Sequence, residues 1–323
     1  MKKKVLISGI TGQDGVFLVN HLLKNDDYHI VGTSRVGSSP TFEKKLMHLG
    51  LNPNNIENLN VVKCNLSDPA DIDGLLESFK PDYIYNLIGP GSVSESVKNP
   101  FDNSISILSS FNNLVNSIIK TKSFPNFFQT SSSEMFKNSE DGLLDENSSY
   151  LPQTPYAISK LYCHNMSDFY RNKYEWNISC GILFNHESEF RGNQYLLTKI
   201  INEAIKIHKG QSDSLTIGSI DLIRDWGFAG DIVEAMTLIN ENDKFEDFVI
   251  GTGQGHSIED MLKIIFNYFN LEFEDFVKVD NRFMRKNEPL SIISNPKKIE
   301  NHLGWVSSTS FEETILRSIQ YRL

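Results

Sequence analysis

Cysteine is scarce in this chain. Its three cysteines, Cys64, Cys163 and Cys180, are odd in number and far apart. Such a set excludes a disulfide framework and fits free thiols in a reducing cytoplasm. No cysteine–histidine spacing matches a zinc site, so no metal is expected. Positive charge is also short. The chain has 31 Lys and Arg against 41 Asp and Glu, a net charge of −10. That balance argues against a nucleic-acid partner, yet leaves room for a local basic pocket that takes a small anion. No apolar run approaches the roughly 20 residues of a membrane span, so no membrane contact is expected. Lys2, Lys3 and Lys4 imitate the start of a signal peptide, but Ser8, Gly9, Thr11 and Gly12 interrupt the short apolar stretch that follows. A cytoplasmic protein is the expectation. Internal repeats and low-complexity linkers are missing too. With 39% hydrophobic and 22% charged residues over 323 positions, disorder is excluded and two lobes have room to form.

What is present is an alternation. Val5-Leu6-Ile7, His29 to Thr33, Leu59 to Val62, Tyr83 to Leu87, Asn126 to Thr130 and Ile178 to Phe184 read as strands. Helix-like stretches such as Val16 to Leu23 separate them. This order implies crossovers, and so an α/β fold with a Rossmann-type doubly wound parallel sheet. After Asn185 the rhythm changes. Leu196 to Lys209 and Asp231 to Ile239 read as helices, Leu215-Thr216-Ile217 and Phe248-Val249-Ile250 as strands. Ser257 with Asp260, and Ser310 with Glu313, have capping-box spacing. A smaller α/β C-terminal substrate lobe is expected: residues 1–185 with 225–253 as the Rossmann-type domain, 186–224 with 254–323 as the lobe. The polar stretch Lys137 to Ser149 reads as a surface loop.

Gly9-Ile10-Thr11-Gly12-Gln13-Asp14-Gly15 follows the first strand and opens the first helix. Glycines there permit a tight turn and let a pyrophosphate approach the backbone. The helix N-terminus adds free N–H groups and partial positive charge. Gly9, Thr11, Gly12, Gln13, Asp14 and Gly15 are therefore placed at a dinucleotide cofactor. The end of the second strand decides its phosphate state, since a carboxylate there would bind the ribose hydroxyls of NAD. This chain has Thr33-Ser34-Arg35-Val36-Gly37-Ser38-Ser39 instead. Arg35 can pair with a 2′-phosphate and Ser38 can donate to it, which favours NADP over NAD. Asn65-Leu66, after the third strand, suits adenine, and Leu87, after the fourth, completes the cofactor set.

Tyr156 and Lys160 are one helical turn apart, downstream of Thr130-Ser131-Ser132-Ser133-Glu134. A free tyrosine, with a pKa of about 10, is a poor base at neutral pH. A lysine beside it and the cofactor ribose favours the phenolate. Tyr156 can then take an alcohol's proton as hydride leaves the same carbon, with Ser132 hydrogen-bonded to that hydroxyl. Glu134, two residues beyond Ser132 on an extended strand end, would face the same pocket. Next to a new ketone, a carboxylate can remove the neighbouring carbon's proton and assist loss of a hydroxyl. That is a dehydration.

These residues resemble the extended short-chain dehydrogenase/reductase family and, within it, the GDP-mannose 4,6-dehydratases. The similarity runs almost end to end. Beyond the glycine loop it is carried by Gly181-Ile182-Leu183-Phe184-Asn185-His186-Glu187-Ser188, by Arg224-Asp225-Trp226-Gly227, by Asp247-Phe248-Val249-Ile250 and by His256-Ser257. The resemblance implies that Tyr156 is the base at the sugar's carbon 4, tuned by Lys160, and that Glu134 takes the carbon 5 proton. Ser132 keeps the hydroxyl of the family's usual threonine. Ser133 stands where the dTDP-glucose branch has an acid, which places the chain on the GDP-sugar side. Asn185, Arg191, Lys199, Arg224 and Arg285 would meet the ribose and diphosphate, Glu288 the guanine, and Ser92 the sugar. His186 is read as structural. A homodimer or homotetramer is implied.

Departures cluster at the sugar end. The mannose enzymes have Gly-Ala-Gln-Ser-His-Val where this chain has Gly89-Pro90-Gly91-Ser92-Val93. Phe190 replaces an arginine, and Val36 a second arginine. A remodelled sugar site would suit GDP-N-acetylglucosamine, as in a 4,6-dehydratase leading towards legionaminic acid, or a GDP-heptose. A nucleotide-sugar 4-epimerase or 4-reductase of the same family is the alternative; it would use Tyr156 and Lys160 and need no Glu134.

Overall fold

The structure, a computed structural model, describes residues 2–89, 91, 93–137, 143–280, 282 and 288–323. In chain order the first elements are β1 (Lys3–Ser8), α1 (Gln13–Leu22), β2 (Tyr28–Ser34), α2 (Pro40–His48), β3 (Leu59–Lys63), α3 (Pro69–Phe79) and β4 (Tyr83–Asn86). Then come α4 (Val93–Lys98), α5 (Pro100–Thr121), β5 (Asn126–Ser132), β6 (Leu143–Leu144), α6 (Pro155–Tyr174), β7 (Ile178–Leu183) and β8 (Asn185–Glu187). The rest are α7 (Leu196–His208), β9 (Leu215–Ile217), β10 (Ile223–Arg224), β11 (Trp226–Phe228), α8 (Ala229–Asn240), β12 (Phe248–Ile250), β13 (His256–Ser257) and α9 (Ile258–Tyr268). The series closes with β14 (Val277–Val279), β15 (Ser291–Ser294), α10 (Lys297–Leu303) and α11 (Phe311–Gln320).

The chain divides into two compact units. One comprises Met1–Lys137, Ser149–Leu183 and Val233–Phe248; the other comprises Asn138–Ser148, Phe184–Ile232 and Val249–Leu323. The sheet runs in the order β12-β7-β5-β4-β1-β2-β3, and the pairings from β7 to β3 are all parallel. Helices on both faces explain why its strands are apolar throughout rather than alternating. Val5, Ile7, Ile84, Phe127 and Phe128 have no exposed surface, and every residue of β7 is buried. This is the doubly wound parallel architecture expected. Under the sheet, Ile72 and Leu76 of α3 and Ile107, Phe111 and Leu114 of α5 join Cys163 and Trp176 in one core. β1 lies between β2 and β4, so the winding reverses there and the carboxyl ends of these strands open a crevice.

In the second unit the sheet order is β13-β10-β15-β6. β6 falls inside the stretch read as a surface loop. Leu144 is buried and β6 pairs in parallel with β15; the apolar pair Leu143–Leu144 is enough to make an edge strand. Residues 138–142 of the same stretch lie outside the described residues. Ser257 and Asp260 form the capping box, with Asp260 N donating to Ser257 Oγ at 3.0 Å and Ser257 N to Asp260 Oδ2 at 2.8 Å. At α11 only half of that motif forms. Ser310 Oγ accepts from Glu313 N at 3.1 Å, but the Glu313 carboxylate accepts from Arg317 instead. A second core, around Ile200, Ile201, Met261, Ile265 and Ile315, fills the space between α7, α9 and α11.

Candidate active site

Gly9 turns the chain at the end of β1 with φ of 75°, a conformation that favours glycine. Its N–H and that of Ile10 donate to Thr33 O at 3.2 and 3.3 Å, tying the loop to β2. A side chain at Gly15 would come within 2.4 Å of Ile10 O, so this glycine serves close packing of α1 on the loop. Gly12 is the N-cap of α1 and makes no side-chain capping bond, and a helix N-terminus is favourable to an anion.

A cavity of about 790 Å³ opens there, the size of a cofactor site. Its wall contains Gly9, Thr11, Gly12, Arg35, Asn65, Leu66 and Leu87, all expected at the cofactor. Gln13, Asp14, Gly15 and Ser38 are not in the wall. Gln13 donates to Asp14 at 3.2 Å, and Ser38 donates to Glu43 of α2 at 2.9 Å. Arg35 is exposed and pairs with no described acidic residue. Two buried oxygens in the wall, Thr33 Oγ1 and Asn103 Oδ1, have no hydrogen-bond partner among the described residues. The hydroxyls and amines of a dinucleotide are donors that would satisfy them, so the residues present fit such a cofactor. Asn103 was not legible as a site residue. Its signal is a polar stripe, Asn99, Asn103, Ser106 and Ser110, at helical spacing at and along α5, and all four line the cavity.

The four expected catalytic residues belong to the same unit. Thr154 and Pro155 start α6, with Thr154 Oγ1 accepting from Ala157 N at 3.2 Å. Tyr156 is therefore in the first turn and Lys160 in the second. Lys160 Nζ lies 5.9 Å from the Tyr156 ring centre. Burial lowers the Lys160 pKa from its ordinary value. A side chain on Gly89, in the cavity wall, would sit 3.6 Å from Lys160 Nζ. Ser132 ends β5, and the chain does not continue extended to Glu134. Residues 133–135 form a 3₁₀ turn, and Ser132 Oγ caps it by accepting from Glu134 N at 3.3 Å. Glu134 is thus held by a turn rather than by strand alternation.

Behind these residues runs a buried polar network. Ser8 Oγ donates to Asn86 Oδ1 at 2.7 Å, and Asn86 Nδ2 to Gln129 Oε1 at 2.7 Å. Gln129 Nε2 donates to Thr130 O at 2.8 Å, and Lys160 Nζ to the same oxygen at 3.0 Å. One turn further along α6, His164 Nδ1 lies 3.0 Å from Ser131 Oγ, and its Nε2 3.1 Å from Tyr150 Oη. Potential ligand atoms of His164, Cys180 and Asp247 gather within 4.8 Å. Asp247 is already paired with Arg171 and accepts from Cys180 N at 3.1 Å. Burial also pushes the Cys180 thiol up.

The second unit holds Asn185, Arg191, Lys199, Arg224 and Glu288, expected at the nucleotide sugar. Asn185 starts β8, and Arg224 ends β10 beside Glu288, 3.1 Å away. Arg191 is held by Glu187 at 3.3 Å and lies over the Tyr195 ring at 3.6 Å. Lys199 is exposed on α7. His186 Nδ1 lies 2.8 Å from Phe184 O, a structural contact. Ser92 and Arg285 lie outside the described residues.

Residues 6–318 match the sequence profile of the family described as GDP-mannose 4,6 dehydratase. The chain belongs to that family. It is 33% identical over 321 residues to GDP-mannose 4,6 dehydratase 2 of Arabidopsis thaliana, covering 97% of this chain and 85% of that protein. It is 31% identical over 340 residues to the Homo sapiens GDP-mannose 4,6 dehydratase, with 96% and 88% covered. Among solved structures, a dTDP-glucose 4,6-dehydratase from Streptomyces venezuelae, bound to NAD, matches with a TM-score of 0.85 at 18% identity, covering 98% of this chain and 96% of that one. A UDP-N-acetylglucosamine 4-epimerase from Methanobrevibacter ruminantium matches at 0.84 and 22%, with 100% and 99% covered. At these identities the two structures speak for the fold of this family member, not for its substrate. No described helix is long and apolar enough to cross a membrane.

Proposed function

We propose that the protein is a GDP-sugar 4,6-dehydratase working with NADP, converting a GDP-hexose to its 4-keto-6-deoxy derivative. The observation that carries this reading is Glu134. It sits on a turn capped by Ser132, in the unit that also carries the Tyr156–Lys160 pair. An epimerase or reductase of this fold needs the pair but not the carboxylate. Family membership supports the same reading.

Bound in the cavity, NADP would serve as the oxidant at carbon 4 and later the reductant at carbon 6. Gly9, Thr11, Gly12, Asn65, Leu66 and Leu87 would hold it, and Arg35, exposed just after β2, would take the 2′-phosphate. Tyr156 removes the carbon 4 hydroxyl proton, and the Lys160 charge favours its phenolate. Ser132 orients that hydroxyl. Once carbon 4 is a ketone, the proton on carbon 5 is acidic. Glu134 takes it and passes it to the carbon 6 hydroxyl, which departs as water as the carbon 5–carbon 6 double bond forms. Asn185, Arg191, Lys199, Arg224 and Arg285 are assigned to ribose and diphosphate, Ser92 to the sugar, and Glu288 to guanine, whose ring N–H and amine are both donors. A homodimer or homotetramer belongs to this reading, and sedimentation would measure it.

The sugar itself is open to one specific departure. Gly89 to Val93 lacks the amide and imidazole of the mannose enzymes, which favours GDP-N-acetylglucosamine over GDP-mannose, with a GDP-heptose as the other candidate. Incubation with NADP and each GDP-sugar, followed by mass spectrometry, tests both. Loss of one water from either sugar supports the dehydratase; an isomer of unchanged mass would replace it with the epimerase.

A further inference from the structure

Lys160 Nζ is buried, and among the described residues both of its hydrogen-bond acceptors come from one residue. It donates to Thr130 O at 3.0 Å and to Thr130 Oγ1 at 3.1 Å. Any residue would offer the carbonyl; only a serine or threonine offers the hydroxyl. That hydroxyl is itself oriented. It donates to Asn86 O at 2.8 Å, which turns its lone pairs towards the ammonium. Asn86 is fixed in turn by Ser8 and Gln129, each bond 2.7 Å long. Three adjacent strands, β1, β4 and β5, thereby set the direction of one N–H on α6.

We propose that Thr130 is a positioning residue for Lys160: its hydroxyl fixes the direction of the ammonium and keeps it protonated, and so sets the alkaline limit of the range in which Tyr156 works. The inference rests on the reading of Tyr156 and Lys160 as the reacting pair. Its physical basis is the scarcity of other support for a buried cation. Among the described residues, the ionisable groups that face Lys160 are Tyr156 and Cys163 on its own helix, Cys180 on β7 and Asp14 on α1. Burial pushes the Cys163 thiol up to about 12 and Cys180 up as well, so both stay neutral. Asp14 is the one carboxylate among them. A hydrogen bond to the charged form favours that form, and Thr130 supplies both. Without its hydroxyl, Lys160 would lose its proton at lower pH. The alkaline limb of kcat/KM would then move down by about one pH unit, the usual worth of one hydrogen bond to a charged group.

The test compares Thr130→Val, Thr130→Ala and Thr130→Ser with the parent protein. The Lys160 side chain is titrated by NMR in selectively labelled, ligand-free protein, with its signal assigned by its absence in Lys160→Met. We expect the midpoint to fall by about one pH unit in Thr130→Val or Thr130→Ala, and to stay at the parent value in Thr130→Ser. In parallel, the pH profile of kcat/KM should lose its alkaline side in the first two variants and recover it in the third. A merely structural hydroxyl would lower thermal stability without moving either midpoint. An unchanged Lys160 midpoint in folded Thr130→Val or Thr130→Ala overturns the proposal. The NMR measurement needs neither cofactor nor substrate, so it stands even if no GDP-sugar is turned over; that result would remove the dehydratase reading instead.

Discussion

The Arg224 guanidinium donates to the Glu288 carboxylate across 3.1 Å, within the second unit. Both side chains are largely buried, so each partly neutralises the other. This pairing pre-orients the carboxylate assigned to guanine. Replacing Glu288 with alanine should remove selection for guanine and take one acidic partner from Arg224. A buried donor without a partner costs about 1–3 kcal/mol, so the parent protein should bind GDP roughly ten- to a hundredfold better than UDP. Calorimetry with the two diphosphates checks this. In Glu288→Ala the ratio should approach unity; equal affinities already in the parent would refute the guanine assignment.

Tyr156→Phe removes one oxygen from the first turn of α6 and little else. Turnover should vanish while GDP-sugar affinity stays within about twofold of the parent, because uniform binding is untouched. Near-normal turnover would dismiss Tyr156 as the base.

Glu134→Gln keeps the size of the side chain and removes the base. Water loss should stop. Oxidation at carbon 4 should still proceed, so the near-ultraviolet absorbance of reduced nicotinamide should build up on mixing with substrate. Normal water release would make Glu134 a solvated turn residue and favour the epimerase.

Arg35→Ala should cut the preference for NADP over NAD by roughly tenfold or more, the worth of a charge-assisted contact to phosphate. Fluorescence titration with both cofactors decides it. An unaltered ratio would mean that Arg35 does not meet the 2′-phosphate.

His164 gives a pH prediction for stability. Burial lowers its pKa, against the attraction of Asp247 and Asp168 and with the repulsion of Arg171. Its folded pKa therefore lies below the unfolded value of about 6.5. The unfolded chain binds the proton first, so stability is full above that value and falls as the pH drops towards the folded pKa. Denaturant melts of His164→Gln should show a shallower loss of stability in that acid window. An identical slope would remove His164 as a source of acid sensitivity.

Much of the first unit was legible because its strands are buried on both faces. Continuous apolar runs such as Val5-Leu6-Ile7 mark such strands directly, and Gly9 to Gly15 marks the crossover to α1. The second unit was less so. β6, β10 and β13 are two residues long, too short to show any period, and their pairing depends on residues far away. The same holds for the site. Tyr156 and Lys160 declare themselves by spacing on one helix. Thr130, Asn86, Gln129 and Ser8 do not, because what joins them is sheet register: Ser8 stands opposite Asn86, and Asn86 opposite Gln129. Glu134 is held by a capped turn where the spacing suggested an extended strand, a difference that the sequence pattern does not show.

The division into units has a consequence for anyone who would exchange substrate preferences between relatives. The chain passes from one unit to the other at 137–138, 148–149, 183–184, 232–233 and 248–249. Two of these crossings fall inside regular elements, α8 and β12. Neither unit can therefore be encoded as one uninterrupted stretch of gene, and a single splice cannot graft the second unit of one relative onto the first unit of another. An exchange of properties between relatives in this architecture has to be made in place, by substitutions within the several segments of each unit.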